Sequence, residues 1–391
     1  MSVLKRALYL FLLLKPFYFF ESGSLQIGDF VFLSTIPVFL LISRKNRTDL
    51  IKLITKNRFF ILFIFSAISI NILYFIQYSS FDFLKSSLYY IYNFSIILEF
   101  SFLFLKDKNS LVTINKIMKI NLVVQSFILV TGIGRYYDSF RYMGTFNDPN
   151  QFAYFILISY SFIYLLSYME NKKSLLWILV SLILIVASGS TGMLLGLCTF
   201  IVLYVIKNRK HIMIFFQSKK RQLLLICAII FLLAPFVYLI LPRHYLASRK
   251  IFNIDHVTER VEQKIDKASN HSKLNLFEER GYDRIYYYPY YVFFGAGQGA
   301  DSRWAKATLQ NEIHATFPSI LFYYGIIPLI ILLYWIYSHL KNLDKSRKVI
   351  YIALFIESFT LLNQRQPLFW LIIILGSFLS LKKGDFYDRK N

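Results

Sequence analysis

Residues Phe59 to Ile76 read FFILFIFSAISINILYFI, a stretch without a single charge. A helix rises about 1.5 Å per residue, so about 18 to 20 apolar residues span the roughly 30 Å hydrocarbon core of a bilayer. Leu223 to Leu241 and Phe317 to Tyr337 are runs of the same kind. The rest of the 391 residues agrees, with 56% hydrophobic and a mean hydropathy of +0.49. A soluble domain of this size is not normally so apolar. The fold class expected is an all-α polytopic membrane protein, a single integral domain over 1–391. About twelve spans are expected, near 5–20, 26–43, 59–77, 84–105, 112–133, 150–168, 174–188, 190–206, 223–241, 313–337, 349–363 and 367–381.

The net charge of +22 would suggest a nucleic-acid partner in a soluble protein. Here Lys and Arg cluster between the apolar runs, as in cytoplasmic loops, so no nucleic acid is implied. With twelve spans, the basic segments Arg44–Arg58, Lys207–Arg221 and Lys341–Lys348 and the tail Lys382–Lys390 all fall on one side. That side is cytoplasmic by the positive-inside rule, and both termini lie on it. The opposite side receives a loop near 134–149 and one long external loop, 242–312. Within the loop, residues 255–268 suit a surface helix. Lys5 and Arg6 precede an apolar stretch with no small-residue cleavage site, which reads as an uncleaved first helix. The 40 Phe and 29 Tyr fit lipid and its interface. Cys198 and Cys227 both lie inside apolar runs, which argues against a disulfide or a thiolate metal site.

Chemistry is sought where polar motifs meet the external ends of spans. The segment RYMGTFNDPNQFA, Arg141–Ala153, carries Gly144, Asp148 and Asn150 beside a span. Two readings are open there. Asp148 and Pro149 cap a helix, or Arg141 and the helix N-terminus form an anion site. Farther on, Arg280 and Arg284 sit four apart and would share one face of a helix. Guanidinium groups grip phosphate oxygens in pairs, which lysine does less well. The tyrosines after Arg284 either stack on sugar rings or anchor the chain at the interface. Gly295–Gly299, GAGQG, reads as a flexible turn, and no strand–helix context supports a dinucleotide site there.

His314 is placed in the first turn of a long helix, whose positive end disfavours imidazolium and keeps the ring largely neutral near pH 7. It either caps the helix or accepts a proton. Arg365, in the link before the last span, adds a cation to the same side. Lys15 and Glu99 lie near enough to span ends to snorkel. There is no Asp-x-Asp pair, no phosphate-binding loop and no His/Cys metal spacing, so neither metal, nucleotide nor other cofactor is implied.

In order along residues 130 to 380, these segments resemble bacterial O-antigen ligases and O-antigen or capsular polysaccharide polymerases. The resemblance is carried by Arg141 with Gly144–Asn150, by Ser188–Gly192 (SGSTG), by Arg280 with Arg284, by Gly295–Gly299, by Glu312-Ile-His314 and by Tyr324–Ile327. It implies a polyprenyl-diphosphate-linked oligosaccharide as donor and an acceptor glycan, joined on the external face of the bacterial cytoplasmic membrane. It implies His314 as the catalytic base and Arg141, Arg280 and Arg284 as diphosphate ligands, with Gly144, Asp148, Asn150 and Arg365 in support. A flippase and a chain-length regulator are the expected partners, besides membrane lipid. The family often has His-Asn where this chain has His314-Ala315, which leaves the Asn without a counterpart. A polymerase of lipid-linked repeat units is the leading expectation. A ligase that differs only in acceptor, or a transporter of lipid-linked sugars, are the alternatives. Transporters usually show internal repeats and midplane polar sites, which are not evident here.

Overall fold

The computed structural model describes residues 1–21, 23–138, 140–169, 174–208 and 276–380. The span expected at 223–241, the helix expected at 255–268, Cys227, the first half of the long loop and the basic tail lie outside the described residues. The described residues are 74% helix and 2% strand. Among the described residues, six helices are long and apolar enough to cross a membrane. They are α2 (Ile27–Lys45), α4 (Arg58–Tyr78), α5 (Asp82–Lys106), α6 (Asn109–Thr131), the apolar part of α7 (Pro149–Met169) and α9 (Thr191–Asn208). The others expected as spans are shorter: α1 (Ser2–Leu14), α8 (Leu175–Ser188), α14 (Ile326–Leu340), α15 (Lys345–Glu357) and α16 (Pro367–Leu379). At about 1.5 Å per residue, 13 to 15 residues reach only about 20 Å.

Helix α7 is the centre of the bundle: 89% of its apolar window is buried, against 28% for the peripheral α4. It packs on α6, α8 and α16. Helices in lipid associate through close packing rather than through the hydrophobic effect. The contact of α4, α14 and α16 shows this, with the Phe60 ring 4.6 Å from Trp335 and 4.9 Å from Trp370.

Contacts sort the chain ends and links into two layers. One end of the bundle joins basic segments: Lys5 pairs with Asp107 at 2.5 Å, Lys106 with Asp49 at 2.6 Å, and Lys56 donates to Ser377. Arg44–Arg58, expected as a charged link, contains the helix α3 (Arg47–Lys56), held by buried Leu53 and by that Asp49 pair. The other end carries the polar motifs. There the antiparallel hairpin β1 (Arg135–Tyr137) and β2 (Arg141–Gly144) pairs Tyr136 with Tyr142 and leads into α7. Thr145 ties this end to the N-terminal segment, donating to Pro16 O at 2.5 Å.

The half of the long loop within the described residues is folded. It forms α10 (Leu276–Glu279), α11 (Asp283–Tyr287) and α12 (Tyr291–Phe294) against the bundle. Gly295–Gly299 is buried and not a flexible turn. Ala296 and Gly297 donate to Tyr323 O, and Gln298 N donates to Asn71 Oδ1 at 2.9 Å. The expected long helix from 313 begins only at Thr316 and breaks at Gly325, where the Phe293 carbonyl crosses, giving α13 (Thr316–Tyr324) and α14. Lys15 and Glu99 do not snorkel. Lys15 is buried and pairs with Asp29 at 2.7 Å, and buried Glu99 accepts from Thr35 Oγ1 at 2.6 Å.

Candidate functional site

At the polar end lies a cavity of about 230 Å³. Arg141, Asn150, Arg280 and His314 line it, together with Ser190–Met193, Glu279, Thr360 and Leu361. One wall is built where β2, the start of α7 and the Ser188–Gly192 turn converge. Arg141 Nε donates to Ser188 O at 3.1 Å and Nη2 to Asn150 Oδ1 at 2.9 Å. Ser190 Oγ donates to the same Asn150 oxygen at 3.0 Å. With its oxygen held twice, the Asn150 amide turns its N–H groups the other way. The first-turn residues of α9, Thr191–Met193, complete this wall, and first-turn N–H groups have no acceptor within their own helix.

The second wall is the end of α10 and the segment before α13. Arg280 O accepts from His314 N at 3.1 Å, so the arginine and the histidine are tied through backbone. One Arg280 Nη donates to Thr360 O in the floor. The floor, 358–363, is fixed to α13: Thr316 N donates to Ser358 O and Thr316 Oγ1 to Leu361 O, both at 2.8 Å. His314 precedes α13 by two residues, since the extended Ala315 caps the helix. It is therefore not in a first helical turn. Its ring makes no hydrogen bond within the described residues. The residue is exposed, yet the protein around it takes enough water from the ring to lower its pKa below the ordinary histidine value. Arg280, Arg284 and Arg365 act in the same direction, and Glu312 opposes them.

Four residues singled out in the sequence lie elsewhere. Arg284 does not share a helix face with Arg280, because the backbone turns left-handed at Gly281 (φ +73°) between α10 and α11. It is fully buried, pairing with Asp301 at 2.9 Å and donating to Tyr323 Oη at 3.0 Å and Leu309 O at 2.9 Å. Arg365 is engaged in two parallel bonds by Glu312, at 3.0 and 2.5 Å. Asp148 caps α7, its Oδ1 accepting from the Asn150 and Gln151 amides at 2.8 and 2.9 Å. Gly144 turns the chain at φ +59°, where a Cβ would stand 2.5 Å from Gln125 Oε1. Glu279, Thr360 and Leu361 line the cavity without having been singled out. Glu279 was one of several acids in its segment, and 360–361 fell inside an expected span that ends early, at Glu357.

The cavity can hold an anion between Arg141, Arg280 and the Asn150 amide, with a neutral imidazole beside it to accept a proton. Among the described residues, no cluster of His, Cys, Asp and Glu suits a metal ion. The fold and this site define a mostly helical protein with membrane-length apolar helices and a cationic cavity at one end. Compared with known protein families and with curated proteins, the chain matches none.

Proposed function

We propose that the chain is a polysaccharide polymerase of a bacterial cytoplasmic membrane. It transfers a growing glycan from a polyprenyl diphosphate to a hydroxyl of a new lipid-linked repeat unit, on the external face. The observation that carries the reading is the cavity that joins Arg141, Arg280 and His314 from three segments far apart in sequence. The resemblance to O-antigen polymerases and ligases supports it, since it rests on these same segments. In this reading about twelve spans cross the membrane, the span expected at 223–241 among them, with both termini cytoplasmic and the cavity external.

The chemistry follows from the groups present. The bond from the sugar's anomeric carbon to the diphosphate oxygen breaks, and its electron pair leaves with the diphosphate. Fixed cations stabilise that developing charge, and Arg141 and Arg280 supply them. Asn150 holds Arg141 and offers its own N–H groups. The acceptor oxygen bonds to the anomeric carbon, and its proton goes to the neutral ring of His314. Arg284 acts from beneath, bracing the segment that carries Asp301 and Leu309. The test is His314→Ala and His314→Gln in cells lacking the native copy, with membrane levels checked. General-base catalysis contributes about 10²- to 10⁴-fold, and a good leaving group points to the low end. Polymer should be lost while single repeat units accumulate on lipid. A working alanine variant would remove His314 as the base. Accumulation of long polymer on lipid would instead identify a ligase.

A further inference from the structure

The chain between Arg284 and Asp301 goes down into the bundle and returns. Its lowest point can be placed against two helices. Gln298 N donates to Asn71 Oδ1 at 2.9 Å, and Asn71 lies seven residues before α4 ends at Tyr78. Ala296 and Gly297 donate to Tyr323 O, and Tyr323 lies seven residues beyond the start of α13 at Thr316. At about 1.5 Å per residue, both measures put the tip about 10 Å inside the helix ends. The return is sharp: a Cβ on Gly299 would stand 2.8 Å from Phe83 N, in the first turn of α5. At its lowest point the backbone is sealed by protein. Gly295 O accepts from Tyr74 Oη at 3.1 Å, and Ala296 O and Gly297 O accept from Arg303 Nη2 at 2.5 and 2.6 Å. The Arg303 guanidinium is itself packed over the rings of Tyr74, Tyr78, Phe83 and Trp304. Non-helical backbone is tolerated at membrane depth only where the protein meets its polar groups, a condition that a loop in water does not face. The side chains leading to the tip are the opposite of sealed. Phe293 and Phe294 are 64% and 77% exposed. The helices that flank α12 expose apolar residues too, Leu73 and Ile76 on α4 and Ile327 and Ile330 on α14.

We propose that residues 286–299 form a re-entrant hairpin that enters the outer leaflet of the bilayer, with Phe293 and Phe294 against lipid acyl chains. This rests on the membrane-spanning reading of the chain and goes beyond it, because a segment expected to be an external loop becomes part of the lipid-facing surface. Depth and continuity set the occupant. The Phe293 carbonyl meets the chain at Gly325, just past the end of α13, so the pair of rings stands well inside the helix ends. The neighbouring faces of α4 and α14 are apolar and exposed at their own positions, and hydrocarbon suits all three where a hydrated glycan does not. Tyr286, Tyr287 and Tyr290, all exposed, lead into the hairpin, and Tyr is favoured at the membrane–water boundary. The tyrosines after Arg284 are then an anchor rather than a platform for sugar rings.

The test uses the full-length protein in phosphatidylcholine nanodiscs, on a Cys198→Ser, Cys227→Ser background. Phe293→Cys and Phe294→Cys are each labelled with an NBD fluorophore. Leu73→Cys on α4 and Ser302→Cys after the hairpin, both at exposed positions, serve as the lipid and water references. Two quenchers are compared: a nitroxide on the upper part of a phosphatidylcholine acyl chain, and iodide in the buffer. Positions 293 and 294 should lose fluorescence to the nitroxide as position 73 does and resist iodide as it does, while position 302 shows the reverse. A second measurement needs no variant and decides the question if the cysteine proteins do not accumulate. The unaltered protein is irradiated in nanodiscs of phosphatidylcholine with a diazirine in its acyl chain, and lipid adducts should fall on the peptide that holds Phe293 and Phe294. A peptide without adducts overturns the proposal. Quenching of positions 293 and 294 by iodide alone would leave these rings in water, open to a glycan, and overturn it. Protection from both quenchers would mean that another part of the chain covers them, and would overturn it too. In each case nitroxide quenching at position 73 leaves the spanning reading standing. If position 73 also escapes the nitroxide, the spanning reading falls and the hairpin's place in the leaflet falls with it.

Discussion

Arg141 and Arg280 are held differently, yet both present guanidinium groups to one cavity. Arg141 is anchored through Nε and Nη2 on Ser188 and Asn150, and Arg280 through one Nη on Thr360 O. Lysine keeps the charge but loses the fork that grips two oxygens at once. Arg141→Lys and Arg280→Lys should each weaken pyrophosphate binding about ten- to a hundredfold, the worth of one charge-assisted contact. Calorimetric titration of the purified protein reads this directly, and wild-type affinity in both variants would take the arginines out of the donor site. His314 adds a pH signature. Its pKa lies below the ordinary value of about 6.5, through loss of water and then the nearby cations. Only the neutral ring accepts a proton, so activity should be full above the folded pKa and fall as pH drops through it. Glu312 is the group that favours the imidazolium. Glu312→Gln removes that charge and frees Arg365 from its pair, and both changes disfavour the protonated ring. The acid limb should therefore move to lower pH, and a limb that stays or moves up would mean that another group titrates.

The elements show which parts of the fold the sequence made legible. Apolar runs specify helices strongly, so α2, α4, α5, α6, α7 and α9 lie within a few residues of their expected limits. Local signals also offered the cap at Asp148, one of the two readings of its segment. What escaped were effects of tertiary contact. Nothing near Gly325 announces that the Phe293 carbonyl will cross there, and nothing near Arg284 announces Asp301 and Tyr323 as partners. Arg280 and Arg284 look equivalent in sequence, and only the turn at Gly281 sends one to the cavity and the other inside. The start of α9 is a further case. A Cβ on Gly192 would stand 2.3 Å from Thr360 Oγ1, and that hydroxyl is already committed to Glu357 O at 2.8 Å. Gly192→Ala must therefore push α9 away from the cavity floor or break the Thr360 bond. The expected result is a loss of pyrophosphate affinity larger than any loss of thermal stability, because the strain falls on two residues that both line the cavity. Equal affinity at reduced stability would place the contact outside the working site.

At the scale of the whole molecule, the bundle is polarised. Lys5, Lys56 and Lys106 bond at one end, to Asp107, Ser377 and Asp49, while the cavity and the Thr145–Pro16 contact lie at the other. Among the described residues six helices are long and apolar enough for a bilayer, and in the proposed reading they hold the two ends in different aqueous compartments. Basic segments flanking apolar helices stay in the cytoplasm, because moving Lys and Arg across the membrane is disfavoured during insertion. Under the proposed function the cavity end is external, where lipid-linked glycans would meet it. Single cysteines test this. The background needs Cys198→Ser, since Cys198 is exposed, and Cys227→Ser. Ser302→Cys lies between the cavity end's short helices and α13, and Lys45→Cys at the basic end of α2; both positions are exposed. An impermeant thiol reagent added to intact cells, or to spheroplasts if an outer membrane blocks it, should label position 302 and spare position 45 until the membrane is opened. The reverse pattern would put the cavity in the cytoplasm, where glycan transfer from a lipid carrier would have to precede export. Labelling of both positions in sealed cells would mean that the two ends are not separated by a membrane, and the spanning assignment would fall with the orientation.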